Sequence, residues 1–294
     1  MKVMVTGAEG QLGWDVMHVL KEKNIECIGV DREQFDLTDP DAVRDFVYAC
    51  RPTVIVHCAG YTAVDKAEED VQTCLAINGR GTANLVRAAK EIGAALLYIS
   101  TDYVFSGEGE DAWETYDRPK PLSVYGLSKL QGEQAVLEEL TRFFIVRISW
   151  LFGVHGKNFV RTMLRLGQEK SSISVVNDQV GSPTYARDLA EKIVEMIHTE
   201  KYGIYHVTNE GVCSWAEFAE TIMEMAHLNC RVHPVPTSEY PTPARRPQNS
   251  VLSKQSLDDA GFDRLPHWED ALLRYLRALK EEARDAKAQT PPQA

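Results

Sequence analysis

A tyrosine and a lysine stand four residues apart in Tyr125-Gly-Leu-Ser-Lys129, where a helical pattern begins. Residues i and i+4 share one face of a helix. An ammonium beside a phenol favours the phenolate, so a phenol with an ordinary pKa of about 10 is expected to fall toward neutrality. Such a group can exchange a proton with a hydroxyl or carbonyl oxygen at physiological pH. The spacing alone arises by chance in many helices. It gains weight from Thr101, which ends an apolar run with a hydroxyl, and from a glycine-rich turn near residue 7.

That turn reads Thr6-Gly-Ala-Glu-Gly-Gln-Leu-Gly13, with Gly7, Gly10 and Gly13 three residues apart between a strand pattern and a helix pattern. Glycine permits the tight turn and the close approach of a diphosphate, and the helix N-terminus supplies oriented N–H donors. Asp31 closes the second strand 18 residues after Gly13. A carboxylate there can accept both hydroxyls of an adenosine ribose, which favours NAD, while Arg32 beside it could pair with a 2′-phosphate. Either NADPH or NADH is therefore expected. Asp36 and Leu37 fall either beside the adenine or in a turn capping the next helix.

These groups need a frame. Apolar strand patterns at 3–6, 27–30, 54–58, 95–100 and 144–150 alternate with helical patterns at 12–20, 40–50, 78–92 and 130–140. Asp39 and Pro40 suit the N-cap and first position of the second helix. The alternation predicts an α/β fold, a Rossmann-type doubly wound parallel sheet. A long loop at 103–123 precedes the Tyr–Lys pair. Beyond Trp150 the pattern loosens: helices are expected at 159–166, 189–198 and 215–228 (begun by Ser214), and strands at 174–176 and 205–207. The proline-rich segment 233–247 is expected to be irregular. We expect a dinucleotide-binding domain over 1–152, a smaller C-terminal substrate-binding lobe over 153–285 with segments returning to the sheet, and a flexible tail over 286–294.

Composition bounds the partners. A net charge of −11 gives no basic field for nucleic acid or acidic lipid. An anionic substrate must then meet local donors, and Arg245 and Arg246 are candidates. No apolar run approaches a membrane span, and the first residues look like a strand rather than a signal peptide. Six scattered cysteines without a Cys-x-x-Cys pair suggest reduced thiols and a cytoplasmic location, and eight histidines show no metal-ligand spacing.

The turn, Thr101 and the Tyr–Lys pair together resemble the extended short-chain dehydrogenase/reductase family. Within it, the blocks Tyr61-Thr-Ala-Val-Asp-Lys-Ala-Glu68, Ser100-Thr-Asp-Tyr-Val-Phe105, Arg147-Ile-Ser-Trp150, Val176-Asn-Asp-Gln179 and Arg246-Pro247 look like the dTDP-4-dehydrorhamnose reductases. The resemblance implies that Gly10, Gln11 and Leu12 contact the cofactor diphosphate. It places Asp31 on the ribose, and Asp36 and Leu37 on the adenine side. Gly60, Tyr61 and Thr62 would line the nicotinamide half. Thr101, Asp102, Tyr125 and Trp150 would meet the sugar nucleotide. His57, Cys58 and Gly60 depart from the residues common in that family.

The implied reaction is NAD(P)H-dependent reduction of the C4 ketone of a dTDP-4-dehydro-6-deoxy sugar, giving dTDP-β-L-rhamnose. Tyr125 would protonate the oxygen, Thr101 would hold it, and Lys129 would lower the Tyr125 pKa and bind the nicotinamide ribose. Asn78, at the head of its helix, would position Lys129 through a water, although Asn is also a common N-cap. Asn177, Asp178 and Gln179 either shape the pocket or form a turn. Asp65, Lys66 and Glu68 could be a solvated helix face. The family's dehydratases place Asp-Glu after the threonine, where this chain has Asp102-Tyr103, which argues against elimination. A 6-deoxytalose-forming reductase, a 4-epimerase and a non-catalytic nucleotide-binding regulatory subunit remain as alternatives. A homodimer is left open, and neither a nucleic-acid nor a membrane partner is expected.

Overall fold

Strands buried on both faces read as unbroken apolar runs, and the central strands here do so. In the computed structural model, which describes residues 1–289, β3 (Val54–His57) and β4 (Ala95–Thr101) are buried at every position. With β1 (Lys2–Thr6), β2 (Glu26–Val30), β5 (Phe143–Ile148) and the strand Gly203–His206 they form one parallel sheet. The spatial order is Gly203–His206, β5, β4, β3, β1, β2. The chain thus winds outward in both directions from β1 and β3. A crevice opens where the strand order reverses, beyond the carboxyl ends of the strands.

Alternation along β1 sends Val3 and Val5 to one layer and Met4 to the other. The first layer packs against α1 (Gln11–Glu22) and the helix Ala186–Met196. The second packs against α2 (Pro40–Cys50), the helix Thr82–Ile92 and Val136 of the helix Val124–Glu139. Asp39 caps α2 as expected, its carboxylate accepting from Asp41 N at 3.0 Å and Ala42 N at 3.1 Å. A further core joins Phe152, Phe218 and Tyr275 with the helices Phe159–Glu169, Trp215–Met225 and Trp268–Gln289. Ser214 opens the middle helix in a reciprocal capping box with Glu217.

Three expectations need correction. The helix expected from residue 78 starts as a π-helical turn, Ala76–Gly81, before the α-helix Thr82–Ile92. The segment 233–247 is not wholly irregular, because Arg231–Val235 pairs in parallel with Ser172–Val176. That ladder has only two strands, and a proline is tolerated where its missing N–H faces no partner. The tail expected from 286 is helical up to Gln289, and 290–294 lie outside the described residues. All six cysteines are free thiols, and no described helix is long and apolar enough to cross a membrane.

Candidate active site

The glycine turn is built so that α1 points its N-terminus into the crevice. Gly7 adopts φ +68°, and a side chain there would meet Ala59 N at 2.7 Å. A Cβ on Gly13 would lie 2.0 Å from the Gly7 carbonyl oxygen. Gly10 occupies the N-cap and offers no side-chain acceptor, which leaves the first N–H groups of α1 for a ligand. Gly13→Ala should therefore cost at least ~1–3 kcal/mol through overpacking of backbone on backbone. An unshifted urea midpoint would contradict this packing.

A cleft of about 1000 Å³ runs from this turn across the sheet ends. Its lining includes Gly7, Gly10, Gln11, Leu12, Gly13, Asp31, Arg32, Asp36, Leu37, Gly60 and Thr62, followed by Thr101, Asp102, Tyr125, Lys129 and Trp150. Asp31 Oδ2 accepts from Glu9 N at 3.0 Å, which ties the turn to the end of β2. Arg32 is largely exposed and lies 3.9 Å from Asp36.

The helix Val124–Glu139 carries Tyr125 and Lys129. Ser123 caps it by accepting from Gly126 N at 3.1 Å, and Glu68 Oε1 accepts the Val124 N–H at 2.9 Å. Glu68 is thus a second cap rather than part of a solvated face. Thr101 ends β4. Its hydroxyl donates to Asp102 Oδ1 at 2.9 Å, and Ser250 Oγ donates to the other oxygen at 2.5 Å. The Tyr103 ring meets Tyr125 edge-on, 5.5 Å between centroids. Trp150, at φ +50°, stacks on Trp215 at 3.7 Å.

The electrostatics reverse one expectation. Loss of solvent pushes the Tyr125 phenol up, the Asp102 carboxylate adds to the rise, and a hydrogen bond with Thr101 only partly opposes it. Burial pushes Lys129 down to about 7, because desolvation disfavours the charged form. Its ammonium lies 4.1 Å from the Tyr98 ring centroid. The lysine is not among the groups that lower the phenol, and burial favours the protonated form of Tyr125. Burial also raises Asp102 to about 6 against the hydrogen bonds from Ser250 and Thr101.

Other expected site residues are not among those lining the cleft. Asn78 is fully buried inside the π-helical turn and caps nothing. Its Oδ1 accepts from Tyr61 N at 2.7 Å, and its Nδ2 donates to Tyr61 O at 3.0 Å and Ser128 Oγ at 2.9 Å. It links the loop at Gly60 to the helix turn between Tyr125 and Lys129 by direct bonds. Asn177 donates its N–H to Val235 O, Asp178 accepts from Thr237, and Gln179 donates to Thr237 Oγ1 at 3.0 Å. These three fasten the strand Arg231–Val235 and the turn after it, and none of them lines the cleft. Arg246 is engaged with Asp65 in a two-pronged pair at 2.7 and 2.9 Å. That pair clips the 242–246 segment to the short helix Val64–Ala67. Arg245 is exposed.

The lining also holds residues that sequence reasoning missed, among them Phe35, Arg80 and Lys157. The Lys157-Asn158 pair before an apolar helical run was a usable signal for one of them. The described residues contain no cluster of His, Cys, Asp and Glu able to hold a metal ion.

Residues 1–281 match the model of the RmlD substrate binding domain family. The spore coat polysaccharide biosynthesis protein SpsK of Bacillus subtilis is 40% identical over 276 residues, covering 94% of this chain and 97% of that protein. The dTDP-4-dehydrorhamnose reductase of Escherichia coli K12 is 36% identical over 294 residues, covering 95% and 98%. Among solved structures, the dTDP-4-dehydrorhamnose reductase of Bacillus anthracis in complex with NADP superimposes with a TM-score of 0.92 at 44% identity, covering 94% of this chain and 99% of that one.

Proposed function

The chain belongs to the RmlD family of dTDP-4-dehydrorhamnose reductases, and from that premise we propose how its residues carry the activity. It is an NAD(P)H-dependent sugar-nucleotide reductase that acts on the C4 ketone of dTDP-4-dehydro-β-L-rhamnose and yields dTDP-β-L-rhamnose. The observation that carries this reading is one continuous cleft joining the glycine turn to Thr101, Tyr125 and Lys129. The cradle fits a dinucleotide, since its glycines leave no room for side chains and α1 turns free donors into it.

A reduced nicotinamide dinucleotide supplies, when bound, a hydride for the ketone carbon. The chain's own residues handle the oxygen. Tyr125 holds a proton, because its raised pKa keeps the phenol neutral, and it donates that proton to the C4 oxygen as negative charge grows there. Thr101 orients this oxygen by turning its single hydroxyl proton to it from Asp102 Oδ1, which accepts that proton in the structure at 2.9 Å. Lys129 faces the Gly60 loop, where an added Cβ would lie 4.0 Å from its ammonium nitrogen. We assign it to the nicotinamide ribose. Trp150 offers an apolar plate to the deoxysugar, held at its angle by Trp215. Reduced thiols fit a cytoplasmic location.

Incubation with NADPH or NADH and dTDP-4-dehydro-β-L-rhamnose should oxidise one coenzyme per sugar and give dTDP-β-L-rhamnose by NMR. Tight coenzyme binding without sugar turnover would refute the reading. A 6-deoxytalose product would keep the chemistry and correct the face of attack.

A further inference from the structure

We propose that Lys157, carried on the 153–158 segment, is the cation that neutralises the diphosphate of the bound dinucleotide. This rests on the reductase reading above and adds a residue from the segment that follows β5. The segment is fastened directly onto the glycine turn. Gln11 Nε2 donates to Leu151 O at 3.2 Å, and Asn158 Nδ2 donates to Gln11 Oε1 at 3.0 Å. His155 donates through Nε2 to Glu9 O at 2.8 Å, and its ring stacks on Trp14 with centroids 5.4 Å apart and planes within 3°. Gly156, at φ +81°, passes so close that an added Cβ would lie 3.5 Å from Gln11 Cβ. Lys157 follows at once, exposed and lining the same cleft as Gly10 and Gln11.

The other cations of the lining have different places. Arg32 follows the ribose carboxylate Asp31. Arg80 precedes Gly81, whose added Cβ would lie 2.9 Å from Leu37 Cβ, so it belongs to the adenosine end. Lys129 is buried against Tyr98 and Gly60 at the nicotinamide end. Only Lys157 among these four adjoins the turn where the diphosphate sits. The need is physical. A diphosphate brings two negative charges, the N-terminus of α1 supplies only about half a positive charge, and the chain carries −11 overall.

NADPH affinity, read by fluorescence titration and by calorimetry, should fall about 10- to 150-fold in Lys157→Ala, the range for a hydrogen bond to a charged group. It should stay within about 3-fold in Lys157→Arg, which keeps the charge. The salt dependence of binding should flatten in Lys157→Ala, since one ion contact has gone. Binding of dTDP, measured separately, should be unchanged. Equal NADPH affinity in parent and Lys157→Ala overturns the proposal. So does an equal loss for dTDP, which would assign the lysine to the sugar nucleotide's diphosphate. Normal coenzyme binding by the parent without sugar turnover refutes the reductase reading alone, and binding of neither NADPH nor NADH by the parent refutes both.

Discussion

Replacing Tyr125 by phenylalanine is expected to cut turnover of dTDP-4-dehydro-β-L-rhamnose by about 10²–10⁴, the usual contribution of a positioned general acid. The substitution removes one oxygen and keeps the ring, so the edge-on contact with Tyr103 at 5.5 Å survives. The helix caps at Ser123 and Glu68 use backbone groups and do not depend on the phenol. NADPH affinity and melting temperature should therefore move little, which separates lost chemistry from lost structure. Thr101 remains, but its single hydroxyl proton is shared with Asp102 Oδ1 and an aliphatic hydroxyl is too weak an acid to replace the phenol. Turnover within a few-fold of the parent would remove Tyr125 from the mechanism. It would also leave the neutral phenol that burial holds protonated at the reacting end of the cleft without a task.

The same tyrosine shows where sequence reading runs out. The four-residue spacing places the phenol and ammonium on one helix face, and the helix Val124–Glu139 forms as the pattern requires. The sign of the pKa shift depends on how much water reaches each group, and burial is not written in spacing. Both side chains lose solvent, so both move toward their neutral forms. For ketone reduction this polarity serves the reaction, since the first requirement is a proton to give.

The sheet was legible because its signal is local: buried strands are short apolar runs, and glycine with a following helix pattern marks the turn. What escaped is set by partners far apart in the chain. Glu68 and Asp65 share a four-residue block with Lys66 and Ala67 that looks like a solvated helix face. One caps a helix 56 positions on, and the other holds Arg246 across 181 positions. Asn78 has the residue type of an N-cap, yet its amide is spent on Tyr61 and Ser128. Lys157 lies past Trp150, where short strands such as Leu151–Phe152 carry too few residues for a period to show.

Arg147→Met should destabilise the chain by about 3–5 kcal/mol, the cost of breaking a buried ion pair from one side. Arg147 and Glu133 are both almost fully buried, with side chains 3% and 1% exposed. The guanidinium donates from Nε to Glu133 Oε1 at 2.8 Å and from Nη2 to Oε2 at 2.7 Å. Ser100 Oγ donates to Oε1 at 2.5 Å, and Arg147 Nη1 donates to Thr115 O at 3.2 Å. The knot joins β4 next to Thr101, β5 three residues before Trp150, the loop before the helix, and the helix one turn beyond Lys129. Methionine fills much of the volume but leaves the Glu133 carboxylate without its counter-charge. The urea midpoint should fall at constant slope. Glu133→Leu combined with Arg147→Met should recover most of the loss, because an apolar pair of similar size often replaces a buried ion pair at little cost. The double variant's turnover then tests a separate point. The network fixes the helix against the strand end that carries Thr101, so regained stability with reduced kcat and unchanged NADPH affinity would mark it as a positioning device. Full recovery of both would mean that packing alone sets the register of Tyr125.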